Sequence, residues 1–127
     1  MLIIRKEQMA AFEGEARRGF EERMLAHLQK YFPERCSEMG EDGVRGSIRE
    51  AIQRTGKLGL VLEYDIERYL NHMFALEFDF DTNPAYPWVK EVLSDPEIHS
   101  SALMDVLSDR TKEELEKLER RGPGVPK

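Results

Sequence analysis

The sequence predicts an all-α protein, five or six helices in a compact orthogonal or irregular bundle. Three observations carry this. Apolar residues recur at steps of three and four over most of the chain, proline or glycine interrupts each run, and no two alternating stretches exist that could pair as strands. A chain of 127 residues suits one domain and can bury a core without disulfides or a structural metal. Residues 1–121 are therefore expected to form a single helical domain, with 122–127 as a flexible tail of glycine and proline.

The first helix is expected over about Arg5 to Tyr31. Met9, Phe12, Ala16, Phe20, Met24, Leu28 and Phe32 lie on one stripe, with Arg17, Arg18, Glu21, Glu22 and Gln29 off it. Pro33 supplies the stop, while Gly14 and Gly19 weaken the helix and leave room for close approach by another. Pro33 to Asp42 reads as a connection, with Gly40 and Gly43 as punctuation. Val44, Ile48, Ala51 and Ile52 then mark a second helix, ending near Thr55 or Gly56, with Gly56 to Gly59 as its cap and turn. A third helix starts around Glu63 and presents Ile66, Tyr69, Leu70, Met73, Phe74 and Glu77, with Asp65 and Glu67 near the positive end of its dipole. Leu60-Val61-Leu62 has strand composition and nothing to pair with.

Further along, Asn83-Pro84 reads as a cap and first helical position, leading through Trp88, Val89, Val92 and Leu93. Asp95-Pro96 repeats that punctuation ahead of Ile98, Leu103, Val106 and Leu107. Thr111 with Glu114 has the spacing of a capping box that would open a last helix through Leu115 and Leu118.

Twenty-five Asp and Glu against 19 Lys and Arg leave a formal charge of −6. That balance argues against a phosphate-binding surface over most of the molecule, so nucleic acid is not an expected partner. An apolar fraction of 40% beside 35% charged residues fits a folded domain, and no window has the apolar length of a membrane span. Cys36 is the single cysteine, which excludes an intrachain disulfide and favours a reducing compartment. Three apolar residues after the initiator, before Arg5 and Lys6, are too few for a signal peptide, so a cytoplasmic location is expected.

The residues that could carry chemistry do not assemble into a motif. His27, His72 and His99 have neither the spacing of a zinc pair nor a cysteine cluster around them, and no third group can be assigned to orient a base for Cys36. Asp79, Asp81 and Asn83 alternate like the start of a calcium loop. The match fails at Pro84, where the sharp-turn glycine belongs, and at Lys90, where a bidentate glutamate belongs. Turn chemistry is the expected role of these side chains, and no metal, cofactor or catalytic residue is assigned.

The stretch from Phe78 to Trp88 is the best functional clue. It concentrates four aromatics and two aspartates in the one segment with non-helical punctuation. Tyrosine and tryptophan join a large apolar area to a polar handle, which suits them to interfaces. Phe78, Asp79, Asp81, Tyr86 and Trp88 are therefore the candidate partner-binding residues. Closing one end of the core is the competing role for these aromatics and the favoured one for most, leaving Tyr86 and Trp88 as the candidates for exposure.

The opening Leu2-Ile3-Ile4-Arg5-Lys6-Glu7-Gln8-Met9-Ala10-Ala11-Phe12, with Phe32-Pro33-Glu34, Ile48-Arg49-Glu50-Ala51-Ile52 and Phe78-Asp79-Phe80-Asp81, resembles a group of small bacterial proteins encoded beside type VI secretion spike and effector genes. The resemblance covers about Leu2 to Leu93 and brings no catalytic assignment. It implies a cytoplasmic accessory protein, an adaptor or chaperone whose partner is a secreted effector or a spike component. An immunity protein neutralising a toxin is the alternative, with a small enzyme ranked behind both. Membrane insertion is not expected, and a homo-oligomer through an apolar helix face is a further option.

Overall fold

The computed structural model describes residues 15–121. Among them are five helices and no strand, the all-α class the periodicity predicts. They are α1 (Glu15–Tyr31), α2 (Pro33–Lys57), α3 (Glu63–Ala75), α4 (Pro87–Leu93) and α5 (Ser100–Arg121). The expected helix start at Arg5, the stripe residues Met9 and Phe12, Gly14, the opening of the resemblance and the 122–127 tail lie outside the described residues. The chain clusters into two compact units that divide after Phe78.

In the first unit α1, α2 and α3 pack on one another. Phe20, Met24, Leu25 and Leu28 of α1 are buried, as are Val44, Ile48 and Ala51 of α2 and Ile66, Tyr69, Leu70, Met73 and Phe74 of α3. The side-chain pairs set the directions. Glu22 meets Arg45 and Glu21 meets Arg49, so α1 and α2 run antiparallel. Arg23 meets Glu63 while His27 reaches Glu67 and Asn71, so α1 and α3 run parallel.

Pro33 does end α1, because it lacks an N–H and its ring would collide with the carbonyl of the preceding turn. The same proline then opens α2 at the first helical position, so that Phe32 alone joins the two helices. This corrects the expected connection over Pro33 to Asp42. The break that the glycines suggest is confined to Gly40, whose φ of 78° and ψ of 161° kink α2 without ending it. A residue without Cβ reaches that conformation at little cost, and helical geometry resumes at once. At Gly19 the only atom of the described residues near the position of a Cβ belongs to Arg23 of the same helix, so no second helix among them uses that gap.

α2 closes in a Schellman motif. Gly59 sits at φ 82°, its N–H reaches the Gly56 carbonyl at 3.1 Å, and the Leu60 N–H reaches the Thr55 carbonyl at 2.9 Å. Leu60 is itself buried, which anchors the turn. Thr55, also buried, donates its hydroxyl to the Ala51 carbonyl at 2.8 Å, so no polar atom is stranded there.

In the second unit α4 and α5 pair antiparallel, with Trp88 against Thr111 and Glu91 against Arg110. Two expected helix starts move. Asn83-Pro84 belongs to a run of turns, and α4 begins at Pro87. Asp95-Pro96 also forms a turn, closed by the Glu97 N–H on Asp95 Oδ1 at 2.9 Å, and α5 begins at Ser100. Thr111 caps nothing. It lies inside the single helix α5, 7% exposed, where its hydroxyl oxygen accepts the Trp88 indole N–H at 3.0 Å.

Candidate functional site

The aromatic and acidic residues singled out from sequence fall on both sides of the division after Phe78. Phe78 ends the first unit half-buried. Its ring tilts against Phe74, the Arg35 guanidinium lies over it at 5.4 Å, and its carbonyl accepts Arg54 Nη1 at 2.6 Å. Those partners give Phe78 a packing role. Asp79 opens the second unit exposed, its carbonyl accepting the Thr82 and Asn83 N–H groups at 2.9 Å and its Oδ1 accepting the Asn83 amide at 3.2 Å. Asn83 Oδ1 in turn accepts the Ala85 N–H at 2.8 Å. This is the turn chemistry expected of the aspartate–asparagine run. Asp81 is half-buried, and Tyr86 is half-buried with its ring edge-on to Trp88 at 5.6 Å. Trp88 is 5% exposed, which leaves almost none of its surface for a partner.

Among the described residues of the first unit, the large apolar side chains that do face solvent lie elsewhere. Tyr31 is 60%, Leu62 59% and Tyr64 65% exposed. All three belong to the α1–α3 pair or the residue that caps α3. On α3 the sequence places Tyr64, Glu67, Asn71 and Ala75 on the face opposite Ile66, Tyr69, Leu70 and Met73, so burial of the second set turns the first outward. On α1 the residues facing them are Arg23, His27 and Tyr31.

Between these rows is a groove of about 440 Å³ lined by His27, Tyr31, Phe32, Glu67, Asn71 and Ala75. His27 spans it. Nε2 lies 2.8 Å from Asn71 Oδ1 and Nδ1 lies 3.5 Å from Glu67 Oε2. At one end Tyr31 tilts against the His27 ring at 4.9 Å and carries Lys30 over its face at 5.3 Å. At the other, Arg23 Nη2 holds Glu63 at 2.6 Å and Arg68 lies over Tyr64 at 5.0 Å. A smaller hollow of about 300 Å³ continues past Tyr31 and Phe32 to Pro33, Glu34 and Arg35.

The Glu67–His27 pair has the form of an oriented base, yet Nε2 meets the Asn71 amide, a group that neither attacks a substrate nor relays a proton. The arrangement is suited to recognition, offering aromatic faces, a carboxylate and an amide along a shallow channel. Cys36 does not reach it. That thiol is buried, and burial pushes its pKa up, which disfavours the nucleophilic thiolate. Among the described residues no three His, Cys, Asp or Glu side chains gather as metal ligands would. No helix among them is long and apolar enough to cross a membrane.

The second histidine of the chain carries a pH prediction. His72 Nδ1 lies 2.9 Å from the Arg68 carbonyl, and burial lowers the ring's pKa below its ordinary 6.5, with the Arg68 charge acting in the same direction and the carbonyl bond against it. Above that value neither the folded nor the unfolded chain binds the proton. As the pH falls through it, the unfolded chain is protonated first, so folding stability declines until the lower folded pKa is reached. The unfolding midpoint of the wild type is expected to drop more between about pH 7.5 and 5 than that of His72→Gln. Equal drops would show that His72 contributes nothing to the acid limb.

Sequence reasoning named His27 only as lacking metal-ligand spacing and Glu67 only for the dipole of its helix, and did not single out Tyr31, Tyr64 or Asn71 as site residues. The available signal was Tyr64, a large aromatic out of phase with the apolar stripe of its own helix. Comparisons of this chain with family models, with curated proteins and with solved structures find no match.

Proposed function

We propose that this chain is a protein-binding accessory domain, a cytoplasmic adaptor or chaperone for a secreted effector as the sequence resemblance implies, and that it docks its partner on the α1–α3 face. The observation that carries the reading is the exposure of Tyr31, Leu62 and Tyr64 along one helix pair, beside a groove with a polar floor. Exposed aromatics at the rim of a groove are the anchors that dominate binding energy, while the His27, Glu67 and Asn71 groups set orientation. Tyr31 and Tyr64 keep cations over their faces, so each ring is held in place before a partner arrives and loses little freedom on binding.

The test is affinity capture from the native cell with the wild type, followed by titration of the purified partner against wild type and a Tyr31→Ala/Tyr64→Ala double variant. Both side chains are mainly exposed, so the variant should keep its unfolding midpoint. Its affinity is expected to fall at least about tenfold, about 1.4 kcal/mol or more. Equal affinities would remove this face from the interface.

A further inference from the structure

A second groove, on the α1–α2 side of the same unit, has a different chemistry. It encloses about 600 Å³, and its lining includes Arg17 from α1 with Gly46, Arg49, Ile52, Gly56 and Lys57 from α2. Arg17 Nε and Arg49 Nε both point at the Glu21 carboxylate, at 3.3 and 3.4 Å. Glu21 is 7% exposed, so one buried carboxylate holds two guanidinium groups by their inner nitrogens. The outer Nη atoms of both arginines make no hydrogen bond among the described residues, and Lys57 makes neither a hydrogen bond nor an ion pair there. Glu50, the acid among the lining residues, is held by Arg54 Nε at 3.0 Å. The groove therefore presents three cationic tips against acids that are already paired, on a chain whose net charge is −6. Along its floor, a Cβ added at Gly46 or Gly56 would meet no atom of the described residues within 4 Å, so among them nothing keeps an incoming main chain from lying close to α2 there.

We propose that this groove binds an acidic peptide segment of a partner protein, with carboxylates on Arg17, Arg49 and Lys57 and an apolar side chain over Ile52. The charge pattern selects the ligand. A guanidinium can match a carboxylate in bidentate fashion, and the prior fixation of both groups by Glu21 lowers the entropy lost on binding. From Gly46 to Lys57 the floor runs about 16 Å, eleven helical steps, the length of about five extended residues. A lone inorganic anion would not span it. A nucleic acid backbone would bring its phosphates against a molecule that is acidic overall.

The probe is a fluorescently labelled peptide of about eight residues in which Asp and Glu alternate with leucine. Anisotropy is read for full-length wild type, Lys57→Glu and Arg49→Gln. Controls are the amide version of the peptide, with Asn and Gln for the acids, and a labelled single-stranded oligonucleotide. The acidic peptide is expected to bind the wild type, to bind more weakly as salt rises, and to lose about tenfold or more in affinity to each variant. Lys57 has no ion pair to lose, so its variant keeps the fold even if Arg49→Gln does not. Binding of the amide peptide as tightly as the acidic one, unchanged affinity in Lys57→Glu, tighter binding of the oligonucleotide, or no binding of the peptide would each overturn the proposal. So would a self-association of the wild type, read by sedimentation, that Lys57→Glu abolishes.

Discussion

Replacing Phe20 by alanine is expected to destabilise the protein by about 3 to 5 kcal/mol. Phe20 is 1% exposed and sits on the face of α1 that also buries Met24, Leu25 and Leu28. Removing the ring deletes its transfer free energy and leaves a cavity that three mutually packed helices cannot close without moving apart. The loss should appear as a lower denaturant midpoint with an unchanged slope, since the surface exposed on unfolding is nearly the same. An unchanged midpoint would show that the phase of α1 is misread.

Trp88→Ala is expected to cost a similar amount, about 3 to 5 kcal/mol, for a different set of contacts. Trp88 joins α4 to α5, with its ring buried and its indole N–H donated to Thr111 Oγ1 at 3.0 Å. The hydrogen bond can be separated from the packing. Thr111→Val keeps the shape and removes the acceptor, leaving a buried N–H unpaired, at an expected cost of about 1 to 3 kcal/mol. If Trp88 were an interface anchor instead, its alanine variant would fold with a wild-type midpoint and fail only in partner binding.

Trp88 also shows where local reading stops. Its neighbours Pro84, Pro87 and Tyr86 mark a loop and a helix start, which is local information, and α4 does begin at one of those prolines. Whether the ring faces solvent depends on Thr111, 23 positions away. Thr111 itself was ambiguous. With Glu114 it has the spacing of a capping box, yet it also falls seven and four residues on from Met104 and Leu107, in phase with the buried stripe of α5. Packing decided between the two.

Elements whose limits are set by a single residue were legible. Pro33 ends α1, Gly59 closes α2, and α3 begins at Glu63. The extension of α2 back to Pro33 was not, because a glycine can break a helix or kink it, and only its surroundings distinguish the two. Both grooves escaped the sequence for one reason. Arg17 is 32 positions from Arg49, and His27 is 44 from Asn71, so their meeting is a property of how α1 packs. The overall charge of −6 masks the cationic groove, which a residue count cannot resolve.

The α1–α3 docking face is tested most directly by hydrogen–deuterium exchange of the chain alone and in complex with its captured partner. Backbone amides in helices exchange through local opening, and a bound partner suppresses that opening where it sits. The expected result is added protection in peptides spanning 23–31 and 63–75, with 79–88 unchanged. Added protection over 79–88 with 23–31 and 63–75 unchanged would contradict it and return the interface to the aromatic segment.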